Sequence, residues 1–97
     1  MSYELRYKHA KMLVQNIKDM VTVEVADFLK ERGDEELELS FKSGDVHYEK
    51  VYVDVDGTLN MAGYEEYEVG VTEFDKPVSD IPVEDVVYLL KVLEEAK

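Results

Sequence analysis

The first third of the chain carries apolar side chains at the spacing of an α-helix. The stripe runs through Ala10, Val14, Ile17, Val21, Val25 and Phe28. Glycine commonly follows the last residue of a helix, so Arg32-Gly33 predicts where this one ends. The β-branched residues 21–25 would also suit a strand. The stripe keeps its phase through them, however, which favours one helix or two nearly coaxial helices.

The length of this helix sets a constraint on the whole fold. Thirty residues of α-helix, from 3 to 32, span about 45 Å. A single domain of this size has a radius of gyration near 13 Å and is roughly 26 Å across. We therefore expect the helix to fray, to kink near residues 19–22, or to pack on a second copy of the chain.

The middle of the chain alternates between apolar and polar residues, which predicts antiparallel strands. Leu37, Leu39 and Phe41 alternate with polar neighbours. Ser43-Gly44 predicts a two-residue hairpin turn, which would place Phe41 opposite Val46.

The next strand changes phase partway along its length. Val46 and Tyr48 occupy even positions, whereas Val51, Val53 and Val55 occupy odd ones. A β-bulge near residues 49–50 would restore the inward face. A third strand is predicted over about residues 65–74, with the turn that leads to it inside residues 56–63.

The end of the chain predicts a second helix. Asp80 or Ile81 would cap it, and Pro82 suits its first turn. Its apolar residues cover an arc of about 220°, whereas packing on one sheet face needs roughly 100°. The surplus indicates burial on two sides, the second formed by the first helix or by another subunit. The predicted fold is a single α+β domain over residues 1–97, with two layers in the order α-β-β-β-α. A three-stranded antiparallel meander packs on a long N-terminal helix and a C-terminal helix.

The charge of the chain is unevenly distributed. The formal net charge is −12. Residues 1–32 have nearly balanced charges, whereas residues 33–97 carry almost all of the acidic excess. Such a surface repels nucleic acid and anionic membranes and attracts basic proteins. The absence of cysteine excludes disulfides and thiolate metal sites, and a cytoplasmic location is expected.

One short string carries a possible chemistry. Residues 51–59, V-Y-V-D-V-D-G-T-L, are an apolar strand followed by D-x-D-G-T-L. The string resembles the first motif of the haloacid-dehalogenase-like phosphatases. The resemblance implies that Asp54 is the nucleophile and Asp56 the general acid/base, with magnesium bridging Asp54 and the phosphate.

The remainder of the chain favours a different interpretation of that string. The family sets this motif near the N-terminus of a parallel α/β sheet and requires further motifs downstream. The residues after Thr58 predict only one strand and one helix. Asp-Gly is also a common turn or bulge signal, so we interpret Asp56-Gly57 as a turn or a bulge. A magnesium-dependent phosphatase-like enzyme is the alternative.

The outward side chains of the predicted sheet form the candidate binding site. If Val53 pairs with Val69, the outer face carries Tyr52, Asp54, Glu66, Glu68 and Thr72. Tyrosines among carboxylates suit an arginine-rich partner. We expect a non-enzymatic interaction module, such as an adaptor, an inhibitor or a chaperone-like protein, which binds a basic protein, forms a homodimer and needs no cofactor or metal. In size, charge and element order it resembles the small acidic dimeric chaperones of bacterial secretion systems.

Overall fold

The computed structural model describes residues 3–96, so both ends of the predicted 1–97 domain lie outside the described residues. The elements in chain order are α1 (Tyr3–Arg32), β1 (Glu36–Ser43), β2 (Val46–Val53), β3 (Leu59–Tyr67), β4 (Gly70–Pro77), a 3₁₀ turn (Val78–Asp80) and α2 (Val83–Glu95). The predicted α+β fold with a helix at each end is confirmed. The predicted number of strands is wrong, because the sheet has four strands.

The first helix is continuous through the β-branched segment, as the phase of its stripe indicated. It ends in a Schellman motif. Gly33 has a φ of 70°, its N–H donates to the carbonyl of Lys30, and the N–H of Asp34 donates to the carbonyl of Leu29. This end of α1 is therefore fixed by backbone hydrogen bonds.

The four strands form an antiparallel meander in the order β1-β2-β3-β4. The first hairpin turns at Gly44-Asp45, one residue later than predicted, so that Phe41 pairs with Tyr48 rather than with Val46. Gly44 has a φ of 61°, as the first central residue of a type II′ turn requires. The predicted bulge is confirmed, since the register between β2 and β3 shifts between Tyr48 and Lys50.

The strand absent from the prediction is β3. Residues 54–58 form the loop after β2, and Val53 pairs with Leu59 rather than with Val69. The segment predicted as one strand over residues 65–74 is the end of β3, a two-residue turn and the start of β4. The turn leaves Val69 fully exposed at its tip.

The core lies between one face of the sheet and the two helices. The sheet contributes Val51, Leu59 and Met61, and the helices contribute Val21, Val25, Leu29, Val86, Leu89 and Leu93. Each such side chain contributes about 1.5–3 kcal/mol when it is fully buried. The second side of α2 packs on α1, which accounts for its wide apolar arc.

The two helices run in the same direction, and α1 extends beyond the rest of the fold. Lys18 reaches the carbonyl of Ile81, just before α2, and Arg32 reaches the carbonyl of Ala96, just after it. Residues 18–32 therefore lie alongside α2. We call residues 3–17 the arm, because their side chains are exposed except for half-buried Val14. Neither helix described here is long and apolar enough to cross a membrane.

Candidate binding face

The sheet presents a second face to the side opposite the helices, which we call the outer face. Strand alternation and register place on it Glu36, Glu38, Lys42, His47, Lys50, Tyr52, Asn60, Ala62, Tyr64, Glu66, Val71, Glu73, Asp75 and Pro77. The charged side chains on it alternate with aromatic and small ones, a composition unlike that of the core face.

A groove of about 550 Å³ crosses the sheet next to the β-bulge. Its lining comprises Glu49, Lys50, Ala62, Gly63, Glu73, Phe74 and Asp75. Gly63 is required by geometry, since a Cβ at this position would lie 1.8 Å from the carbonyl oxygen of His47. At the bulge, the backbones of β2 and β3 therefore lie close together. The small residues Ala62 and Gly63 line the groove together with longer charged side chains.

One end of the outer face is held by a hydrogen bond across β3. The hydroxyl of Tyr52 donates to Asp75, with both carboxylate oxygens 2.7 Å away. This hydrogen bond raises the pKa of Tyr52 to about 12. Lys50 lies 3.5 Å from Glu36 and 5.6 Å from the centre of the Tyr52 ring. These contacts fix the orientation of the Tyr52 ring beside the groove.

The other end of the outer face carries a stacked aromatic pair. The rings of His47 and Tyr64 lie 4.4 Å apart and almost parallel. His47 Nε2 lies 3.0 Å from Glu66 Oε1, which is within ion-pair distance, although the pair does not have hydrogen-bond geometry. The arrangement becomes an ion pair when the imidazole is protonated.

Three carboxylates of this region have no cationic partner among residues 3–96. Glu38, Glu49 and Glu73 make no ion pair within that range, whereas Lys50 is already engaged with Glu36. Glu49 on β2 and Glu73 on β4 both line the groove, on the two strands that flank β3. The groove therefore carries two carboxylates without a cation from residues 3–96 besides Lys50, and its Asp75 accepts the hydrogen bond from Tyr52.

Only part of the predicted site is assembled by the fold. Tyr52 and Glu66 share the outer face, as predicted. Asp54 lies in the β2–β3 loop and Glu68 in the β3–β4 turn, at opposite ends of the sheet, so the predicted pairing of these two carboxylates is wrong. Thr72 pairs with Glu65 on the helix side of the sheet, so its predicted outward position is also wrong.

The reason for these errors is the unpredicted strand. With β3 present, Tyr52 pairs with Asn60 on β3, and Asn60 in turn pairs with Pro77 on β4. The alternation of Leu59 and Met61 was the available signal for this strand.

The D-x-D-G-T-L string forms the loop between β2 and β3. Asp56 Oδ1 accepts a hydrogen bond from the N–H of Thr58 at 2.9 Å, and this bond lowers the pKa of Asp56. Gly57 has a φ of 86°, so the predicted turn at Asp56-Gly57 is present. The likeness to the phosphatase motif ends there, because β2 belongs to an antiparallel meander. Among the residues described, no three His, Cys, Asp or Glu side chains cluster to hold a metal ion.

A second polar group, not anticipated from the sequence, lies in the core at the start of α2. The hydroxyl of Tyr48 donates to buried Asp85 at 2.6 Å. Burial and this hydrogen bond raise the pKa of Tyr48 well above its ordinary value. Lys18 is also buried, and its Nζ donates to the carbonyl of Ile81 at 2.6 Å and to that of Ser79 at 3.4 Å. Each of these groups has a partner: Tyr48 and Asp85 join β2 to α2, and Lys18 joins α1 to the segment that precedes α2.

Comparisons of the chain with protein-family models, with curated proteins and with solved structures give no match.

Proposed function

We propose that this protein is a non-enzymatic binding module that holds a basic segment of a partner protein on its outer face. The observation that carries the proposal is the groove next to the β-bulge, with small residues between unpaired carboxylates. A cytoplasmic partner would suit a chain without cysteine.

The size of the groove is compatible with a side chain or an extended peptide. Its volume of about 550 Å³ lies within the roughly 300–1,000 Å³ of typical ligand sites. Gly63 is required in its lining, because a Cβ at this position would lie 1.8 Å from the backbone carbonyl oxygen of His47. Tyr52 is preorganised by Asp75, so that little conformational entropy is lost when a ligand binds.

The charges of the groove select arginine. Glu49 and Glu73 have no cation of their own among residues 3–96, and the planar guanidinium pairs with carboxylates through two hydrogen bonds. The guanidinium also stacks on tyrosine. A free nucleic acid is disfavoured, because its phosphates would face the same unpaired carboxylates.

The test is titration of the protein with a synthetic peptide that alternates arginine with alanine, followed by amide chemical shifts in NMR spectra. We expect the largest shifts at Ala62, Gly63 and Glu73, and a dissociation constant that rises with salt. The double variant Glu49→Lys/Glu73→Lys should weaken binding by at least about tenfold, which corresponds to ~1.4 kcal/mol.

The matched control changes the net charge equally but leaves the groove intact. Glu94→Lys/Glu95→Lys, at the end of α2, should retain most of the affinity. If both double variants weakened binding equally, or if the shifts spread evenly over the acidic surface, the attraction would be a property of net charge and the proposed groove would be wrong.

A further inference from the structure

We propose that two copies of this chain form a homodimer in which the arm of one copy packs antiparallel on the arm of the other. The proposal rests on the arm alone and is independent of the outer face. The partner that covers the arm is a second copy of the chain and not the basic protein proposed above.

The arm carries a seam of the kind that joins two helices. Tyr3, Tyr7, Ala10, Val14 and Ile17 are spaced alternately by four and three residues, which is the repeat of a coiled coil. The seam continues in line with Val21 and Val25, which are completely buried. One stripe thus runs along the whole helix, and the fold of a single copy covers only its second half.

The arm continues a helix that the core stabilises, but its own apolar face is largely uncovered in one copy. Most of the stability of helices in proteins comes from packing of such a face. Tyr3 is 85% exposed and Tyr7 is 62% exposed. Tyrosine side chains bury about 150–250 Å² each when fully covered, so the exposed parts of the four tyrosines of two arms supply up to roughly half of the ~1,200 Å² that a specific interface buries.

Charge complementarity identifies the second copy as the occupant. The arm is basic, with Arg6, Lys8 and Lys11 against Glu4, while the rest of the chain is strongly acidic. The part of α1 that packs on the rest of the fold begins at Lys18, whose Nζ donates to the carbonyls of Ser79 and Ile81. This contact places exposed Asp19 and Asp80 near the base of the arm.

An antiparallel arrangement uses this complementarity. It brings the N-terminal turn of each arm, with its positive dipole end and Arg6, towards Asp19 and Asp80 of the other copy. In a parallel pair, Arg6 of one copy would lie against Lys11 of the other, because their heptad positions face each other. Repulsion between those cations opposes the parallel orientation.

The first test measures the mass of the full chain by sedimentation equilibrium. We expect twice the 11.2 kDa of one chain at micromolar concentration. Val14→Glu, which places a charge in the seam, should raise the dimer dissociation constant by at least about a hundredfold, because an unpaired charge would be buried in the interface. Asn16→Glu adds the same charge on the opposite side of the arm and should leave the dimer intact.

The second test determines the orientation. The chain has no cysteine, so single cysteines can be placed at will and joined with a short bis-maleimide. An equimolar mixture of Y3C and I17C should give mainly the mixed cross-linked dimer, whereas each variant alone should give little. Efficient cross-linking of each variant with itself would show a parallel dimer and overturn the proposed arrangement.

Three further results would overturn the proposal. A wild-type mass of one chain at high micromolar concentration would exclude the dimer. A dimer that survives Val14→Glu but is lost in Val87→Glu would place the interface on α2. Binding of monomers to anionic vesicles through the arm, abolished by Val14→Glu, would make the arm a membrane-surface helix. The Glu49→Lys/Glu73→Lys variant should remain dimeric, which separates this test from that of the groove.

Discussion

The two halves of α1 belong to one helix and share one apolar stripe, yet their surroundings differ completely. Residues 18–32 place Val21, Val25 and Leu29 in the core, whereas the arm leaves the same face of the helix to solvent. The pattern of the sequence is sufficient to specify the helix. It does not specify what covers the helix, because an apolar stripe buries equally well against a sheet, another helix or a second copy.

The difference in burial between the two halves of α1 is tested most strongly by replacing one leucine in each half with alanine. Leu29→Ala should lower the free energy of unfolding by about 2–5 kcal/mol, because it leaves a cavity in the core. Leu13→Ala, at a position that is 50% exposed, should change it by no more than about 0.5 kcal/mol in dilute, monomeric protein. Urea unfolding followed by circular dichroism measures both values. Similar losses in the two variants would show that the arm is covered within a single copy.

The C-terminal end of α1 could be predicted because two independent signals, the stripe and Gly33, agree on it. The alternation of Leu59 and Met61 is only a weak signal for the third strand, because residues 60–63 also include Asn, Ala and Gly, which have weak strand propensity. Its hairpin with β4 turns at Glu68-Val69, which is not a typical turn sequence.

The candidate site inherited this error. Tyr52 and Glu66 alternate outward in any antiparallel arrangement, so their positions were predictable. The positions of Asp54, Glu68 and Thr72 depended on which strands pair, and an additional strand changes every partner. The buried contacts of Lys18 and Asp85 join residues distant in sequence, and no local pattern indicates them.

The next largest effect concerns the hydrogen bond that anchors α2, the helix that covers the second half of α1. Tyr48→Phe removes the donor to buried Asp85 and should cost about 1–3 kcal/mol at neutral pH, because the carboxylate is left without its partner. Tyr52→Phe, which removes an exposed hydroxyl, is the control and should cost less. Equal losses would indicate that burial of Asp85 does not strengthen its hydrogen bond.

The same tyrosine predicts a pH dependence. The pKa of Tyr48 is raised above its ordinary value of 10.0, so the folded protein retains this proton more tightly than the unfolded chain. The stabilisation is complete below pH 10 and is lost as the pH rises beyond it. Unfolding measured across this range should show a shallower alkaline decline in Tyr48→Phe than in the wild type; parallel declines would contradict the prediction.

A smaller effect is expected from the lysine at the boundary between the two halves. Lys18→Met keeps the buried aliphatic chain but removes the donor to the carbonyls of Ile81 and Ser79, and it should cost about 1–2 kcal/mol. Lys8→Met changes the same residue type in the arm, where the side chain is exposed, and should have almost no effect on a single copy. Thermal unfolding of the dilute proteins compares them. If Lys18→Met did not change the stability, water would have to replace the ammonium group at those carbonyls.

The smallest effect distinguishes the two ends of α1. The C-terminal end is fixed by the Schellman motif at Gly33, where φ is 70°. Since a Cβ there would meet no atom within 4 Å, Gly33→Ala has only the strain of the left-handed conformation to overcome, which is about 1 kcal/mol. Gly33→Asn should cost less, because asparagine tolerates this conformation better than alanine.

Hydrogen exchange shows which part of α1 is affected by the substitution at Gly33. The amide of Asp34, which donates to Leu29, should exchange faster in Gly33→Ala, while the amides of the arm should be unaffected. Faster exchange throughout the arm would show that the two halves of the helix unfold together, and the distinction between a covered and an uncovered half would then fail.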